Sequence, residues 1–145
     1  MSREKVELVV DVLVWNKDAD RFLFIKRAKE PFMDKFVMPG GHVEASDASS
    51  LHAAARELSE EVGLNASLEC FKLLAVLDSP DRDPRSRKVS VVYCLAARDE
   101  ELGACRPGSD AAAVVQVSRL GLKEADMGFD HYKAVSEFEK SGWLE

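Results

Sequence analysis

Three carboxylates crowd into one short stretch of this chain, Arg56-Glu57-Leu58-Ser59-Glu60-Glu61-Val62-Gly63, one loop downstream of the double glycine Gly40-Gly41. On a helix each residue advances about 100°, so Glu57, Glu60 and Glu61 fall on one face within an arc of roughly 100°. Like charges at such spacings oppose the helix by roughly 0.2–0.5 kcal/mol per pair. The stretch is therefore either a solvated acidic face or a cluster kept for a cation. Carboxylate oxygens suit hard divalent ions, and Mg²⁺ takes only a few from a protein and the rest from phosphate and water. Glu57 and Glu61 stand one turn apart and can grip the same ion. Glu60 can take a second ion or a metal-bound water, and a backbone carbonyl at Gly41 can add a ligand.

These residues need a helix and a loop held against it. Ser49 or Ser50 can cap the helix start, and Gly63 stands where a left-handed residue ends it, predicting a helix over Ser49 to Val62. Leu51, Ala55, Leu58 and Val62 form its expected core stripe, nearly opposite the glutamates. Gly40 and Gly41 are expected in a loop where a carbonyl can turn toward the cation. The runs Val6 to Trp15 and Arg21 to Arg27 predict a hairpin around the turn Asn16 to Asp20. Further strands are expected at Lys35 to Met38, Leu68 to Leu77, Val89 to Ala97 and Ala111 to Ser118. A second helix is expected over Phe129 to Lys140. Mixed strands with two helices separated in sequence imply an α/β fold whose mixed central sheet is covered on both faces.

The chain has 145 residues, 46% hydrophobic and 32% charged, which suits one domain spanning 1–145 with a real core. No linker or repeat divides it. The formal net charge of −6 argues against a general nucleic-acid partner, which wants a basic face. No stretch approaches the roughly 20 apolar residues of a membrane span, and the first residues lack a signal-peptide core. Cys70, Cys94 and Cys105 are odd in number and show no CxxC spacing, which favours reduced thiols and a cytoplasmic location. Cys70 and Cys94 lie in apolar stretches and are expected in the core.

The stretch from Arg56 to Leu64, with Pro39-Gly40-Gly41 upstream, resembles the signature of the Nudix hydrolases: Gly, five residues, Glu, seven residues, then Arg-Glu-aliphatic-any-Glu-Glu-any-Gly-aliphatic. The second half is intact. In the first half, the residue separated from Gly41 by five others is Asp47 instead of Glu, and the residue separated from Arg56 by seven others is Ala48. The loop is one residue longer, so Asp47 or Glu44 is expected to take over the loop carboxylate's support of Arg56. The resemblance implies a Nudix-type α/β/α sandwich, with Gly41, Glu57, Glu60 and Glu61 as the Mg²⁺ or Mn²⁺ site. Arg56, Gly40 and Gly63 then have structural roles.

Outside that box, Lys29-Glu30-Pro31-Phe32, Asp81-Arg82-Asp83-Pro84-Arg85, Gly108-Ser109-Asp110-Ala111-Ala112 and Phe129-Asp130-His131 are similar to the ADP-ribose pyrophosphatase-like branch. That branch often has an acid shortly after the double alanine, where this chain has Ala113 and Val114, so Asp110 is the remaining acid of its loop. The implied reaction is hydrolysis of ADP-ribose to AMP and ribose 5-phosphate. Metal ions bridging carboxylates and phosphate oxygens would orient a water and lower its pKa. Glu60 and Asp110 are the candidate general bases, and with Glu57 they make up the catalytic set. Arg27, at a strand end, can clamp a phosphate bidentately. Arg82 and Arg85 either hold substrate or pair with Asp81 and Asp83. His131 and Asp130 are expected to serve the start of the last helix.

Two other readings remain open on the sequence. One is a Nudix pyrophosphatase for nucleoside triphosphates, NADH, dinucleoside polyphosphates or other nucleotide sugars. The other is a non-catalytic sensor that binds ADP-ribose, for which the lengthened loop is the only support. The partner expected in either case is a small nucleotide, and the resemblance suggests a homodimer.

Overall fold

The computed structural model describes residues 3–108 and 113–145. Its elements in chain order are β1 (Glu7–Asn16), β2 (Arg21–Lys26), β3 (Phe36–Val37), β4 (Gly40–His42), α1 (Ser50–Val62), β5 (Lys72–Leu77), β6 (Lys88–Ala97), α2 (Asp99–Leu102), β7 (Ala113–Ser118) and α3 (Tyr132–Lys140). Seven strands form one mixed sheet. β1 runs parallel to β6 along its whole length, from Glu7 beside Lys88 to Asn16 beside Ala97. The other pairings are antiparallel.

β1 and β2 pair only near their shared turn, Val14 to Asn16 against Leu23 to Arg21. Beyond it, β3 pairs with Ile25 and Lys26 of β2, and β4 pairs with Val9 to Asp11 of β1. The segment from Phe36 to His42 thus changes partners from β2 to β1. Met38 and Pro39 make the crossing, and Pro39 O accepts a 2.9 Å hydrogen bond from Val12 N. This is a departure from the expected loop: Gly40 and Gly41 belong to a short strand. Glycine there reads as a loop signal, but its other use in a sheet is to let another backbone or side chain approach closely.

Alternation along the strands splits the core in two. Val10, Val12 and Val14 face Ala53, Ala54, Leu58 and Val62 of α1. Leu13, Phe22 and Phe24 face Ala134, Val135 and Phe138 of α3. Helices therefore cover both faces, as expected. α1 buries a wider arc than the predicted stripe, because Ala53, Ala54 and Glu57 are buried while Leu51 and Ala55 are only half-buried. The helix leans toward β4, which turns its acidic face inward. Cys70 is exposed, against expectation, because Leu68–Cys70 is a 3-10 turn ahead of β5 and not part of the strand. Cys94 is buried as expected. α2 has only four residues, too few for periodicity to reveal.

The turn between β1 and β2 is tied to the end of β7. Arg119 donates to both oxygens of Asp20, at 2.8 and 2.9 Å, and holds that carboxyl below its usual pKa range. Asp20 has φ 54°, a conformation asparagine tolerates, so Asp20→Asn isolates the charge. The aspartate is over a third exposed, so the pair contributes at most about 0.5–1 kcal/mol after solvent screening. A depressed pKa gives stability that is present above the unfolded value, about 3.9, and is lost as pH falls through the folded value. Thermal melts should show Asp20→Asn a few degrees below the parent at pH 7, with the gap closing as pH falls through the depressed folded value.

Candidate functional site

Glu57 is buried to 9% exposure because Gly41 of β4 passes over it without a side chain. A Cβ on Gly41 would stand 2.6 Å from Glu57 Cδ and Oε1, closer than real Cβ atoms come. Burial raises the Glu57 pKa, and Arg56 opposes that rise. Desolvating a carboxylate in this way favours a cation beside it.

Arg56 organises the acidic face. Its Nε and Nη2 donate to Asp47 Oδ1 and Oδ2, both at 2.9 Å, and Nη2 also donates to His42 O at 3.0 Å. Its Nη1 donates to Glu57 at 3.0 Å and Glu60 at 3.2 Å, with Glu44 at 3.6 Å. Asp47 therefore fills the place the lengthened loop had put in question. The Arg56 hydrogen bonds hold the Asp47 pKa down at about 2. Asp47→Ala should leave Arg56 free to pull harder on Glu57 and Glu60. A loss of about 10-fold in turnover is expected, with a higher metal concentration for half-activity, as for other residues that orient metal ligands. A metal titration of the variant checks it.

Gly41, Glu57, Glu60 and Glu61 line a cleft of about 610 Å³, a size suited to a small-molecule ligand. Gly40, Arg27, Arg82 and Arg85 line it too. All the substrate- and metal-binding candidates are thus brought together, while Gly63 caps α1 away from the cleft with φ 75°. Asp110 lies outside the described residues. The chain entering its loop is fixed by Gly108, whose N donates to Glu61 O at 2.7 Å. A Cβ on Gly108 would meet Glu60 O at 2.4 Å.

The arginines differ in their bonding. Arg82 is buried and pairs bidentately with Asp130, at 2.9 and 3.1 Å, and not with Asp81, the pairing the sequence offered beside a substrate role. Arg85 pairs with Asp83. Burial works against the charged form of Asp83, but Arg85's side chain and backbone N–H hold its pKa at about 2. Arg27 Nε donates to Pro31 O at 2.7 Å, and burial with the nearby Arg85 charge lowers its pKa.

The cleft floor holds one acid that the sequence did not flag. Asp11 is a lone acid within the apolar run of β1, a signal in plain view. Its Oδ2 accepts from Ser90 Oγ at 2.5 Å and stands 3.6 Å from His131 Nε2. His131 Nδ1 accepts from Met38 N at 3.0 Å, which leaves the ring proton on Nε2, toward Asp11. His131 thus pins the β3–β4 crossing and does more than open α3. Burial lowers its pKa, with Asp11 opposing.

The donor set fits a hard divalent ion: three carboxylates and a backbone carbonyl in one cleft, without thiolates. Among the described residues no three acidic, His or Cys side chains form a ready-made cluster, and Arg56 accounts for this by drawing on Glu57 and Glu60. No helix among the described residues is long and apolar enough to cross a membrane.

Comparison with known proteins agrees with this geometry. The NUDIX domain model matches residues 5–138. An ADP-ribose pyrophosphatase of Methanocaldococcus jannaschii is 36% identical over 119 residues, covering 82% of this chain and 66% of that protein. A bifunctional NMN adenylyltransferase/ADP ribose pyrophosphatase from Francisella tularensis, solved with AMP and a Mn ion, matches with TM-score 0.79 and 29% identity. That match covers 97% of this chain and 43% of the other. The NUDIX domain of Shewanella oneidensis NrtR, solved with ADP ribose, matches with TM-score 0.80 over 96% of this chain and 90% of that one. Its identity is 20%, so it bears on the fold alone. The chain thus spans just under two thirds of the curated relative's length and less than half of the Francisella protein's.

Proposed function

The chain belongs to the Nudix family, and from that premise we propose that it is a divalent-metal-dependent pyrophosphohydrolase cleaving ADP-ribose to AMP and ribose 5-phosphate. The observation that carries this reading is one cleft holding both Glu57, Glu60 and Glu61 and Arg27 and Arg85. A diphosphate diester needs both: cationic donors for its oxygens, and an acidic site for metal beside the scissile anhydride. The relative from Methanocaldococcus jannaschii supports the choice of ADP-ribose.

Glu57, Glu60 and Glu61, with the Gly41 carbonyl, would hold Mg²⁺ or Mn²⁺. When bound, such ions neutralise phosphate charge and lower the pKa of a water. Arg27 and Arg85 bind phosphate oxygens and align the anhydride. Glu60, whose side chain is 60% exposed, is the first candidate to take the proton of the attacking water, and Asp110 is the second candidate base. Arg56 holds Glu57 in place. The Asp47 pairing weighs against a sensor with a degraded box, because the longer loop still delivers a carboxylate to Arg56.

The test is a substrate panel of ADP-ribose, ATP, dGTP, NADH and a nucleotide sugar with Mg²⁺ and then Mn²⁺. The expected result is the highest kcat/KM for ADP-ribose, by about 10-fold or more, a margin within reach of a few pocket contacts. Preference for another member would keep the metal site and discard the substrate.

A further inference from the structure

Phe129 sits where two arginines of the cleft converge. Arg27 Cζ lies 5.2 Å and Arg85 Cζ 5.5 Å from its ring centroid, both within the range of a cation–π contact. The two guanidiniums come from separate loops: Arg27 hydrogen-bonds Pro31 O and Arg85 pairs with Asp83, whose charge also acts on Arg27. Placed together they repel. The Phe129 ring lies against both of them.

The ring is itself held firmly. Phe32 packs on it at 4.6 Å and His131 lies 5.5 Å away. Phe129 and Phe32 have φ of 51° and 63°, a left-handed backbone that bulky side chains rarely adopt. Such conformations persist where surrounding structure over-determines them, and they gather at ligand sites. Gly128 makes the approach possible, since a Cβ there would meet Phe32 Cβ and Val37 Cγ1 at 3.0 Å.

We propose that Phe129 is a positioning residue that sets Arg27 and Arg85 as a paired clamp for the diphosphate of the substrate. The proposal rests on the function proposed above. An aromatic face tolerates two like charges that an apolar side chain would leave to repel, and fixes their spacing before substrate arrives. The clamp is then preorganised and binds without ordering two long side chains.

The experiment uses Phe129→Leu and Phe129→Met, which keep apolar volume, and Phe129→Tyr, which keeps the aromatic face. KM and kcat for ADP-ribose are measured with Mg²⁺, the ADP-ribose Kd by calorimetry in EDTA, and stability by thermal melts. Leu and Met should raise KM and Kd about fivefold to tenfold, two weak cation contacts' worth, with kcat within about twofold. Tyr should restore both to within about twofold. In an Arg27→Ala, Arg85→Ala background, Phe129→Leu should add almost nothing. If the arginine variants raise Kd and the Leu and Met variants do not, the positioning role is wrong and the phosphate-binding role of Arg27 and Arg85 stands. If the arginine variants leave Kd unchanged, that role and the clamp fall together. A lower melting temperature with unchanged KM and Kd would also overturn the proposal.

Discussion

Replacing Glu61 by alanine, or Glu57 by alanine, should lower kcat for ADP-ribose by on the order of 10²–10³ or more, the scale of losing one preorganised transition-state charge partner. Thermal stability should barely fall. Both side chains line the cleft, and neither belongs to the two hydrophobic clusters. Removing Glu57 deletes a carboxylate whose burial disfavours its charge, and Arg56 keeps Asp47, Glu60 and His42 O as partners, so no buried charge is left unpaired. Raising the Mg²⁺ concentration should recover part of the Glu61→Ala loss if the remaining ligands still bind weakly. Melting curves and steady-state rates across a metal series separate the two effects. Near-normal turnover in Glu61→Ala would remove the metal-site assignment.

The second large effect separates two adjacent glycines. A Cβ on Gly40 would meet Val10 O at 2.1 Å and Asp11 Cα at 2.9 Å. Those are backbone atoms of β1 and cannot yield, so Gly40→Ala should break the β1–β4 pairing and cost about 3 kcal/mol or more, the upper end of overpacking. On Gly41 the three atoms nearest the new methyl all belong to the Glu57 carboxylate, the end of a flexible side chain. Glu57 can swing away at little cost in stability, but it then leaves the metal site. Gly41→Ala should therefore melt within a few degrees of the parent while losing activity nearly as far as Glu57→Ala. Denaturant unfolding together with kcat measures both. The reverse pattern, with Gly40→Ala active and Gly41→Ala unfolded, would contradict the packing described.

The strands and the two long helices were legible because their signals are local. β1 and β2 are runs of β-branched and aromatic residues around a polar turn, and α1 has a serine cap and a terminal glycine. That Glu57, Glu60 and Glu61 share a face was legible from spacing, since the helical period fixes which residues do so, and all three line the cleft. Other features needed tertiary information. The double glycine reads as a loop until β1 is seen to need a side-chain-free partner above Glu57. The Arg82–Asp130 pair spans 48 positions, and no local pattern relates its two ends. Asp47 was named as a substitute for the missing glutamate, and its bonds to Arg56 account for why a one-residue insertion is tolerated. Phe129 was legible as part of the Phe129-Asp130-His131 resemblance and by helical spacing, yet it lies ahead of α3, and its contacts with Arg27 and Arg85 depend on three separate loops meeting.

The most direct test of the account is chromatographic identification of the products when the purified chain is incubated with ADP-ribose, once with Mg²⁺ and once with EDTA. The account predicts AMP and ribose 5-phosphate in equal amounts with Mg²⁺ and intact ADP-ribose with EDTA. Intact ADP-ribose under both conditions, or the same products with the metal chelated, would contradict it.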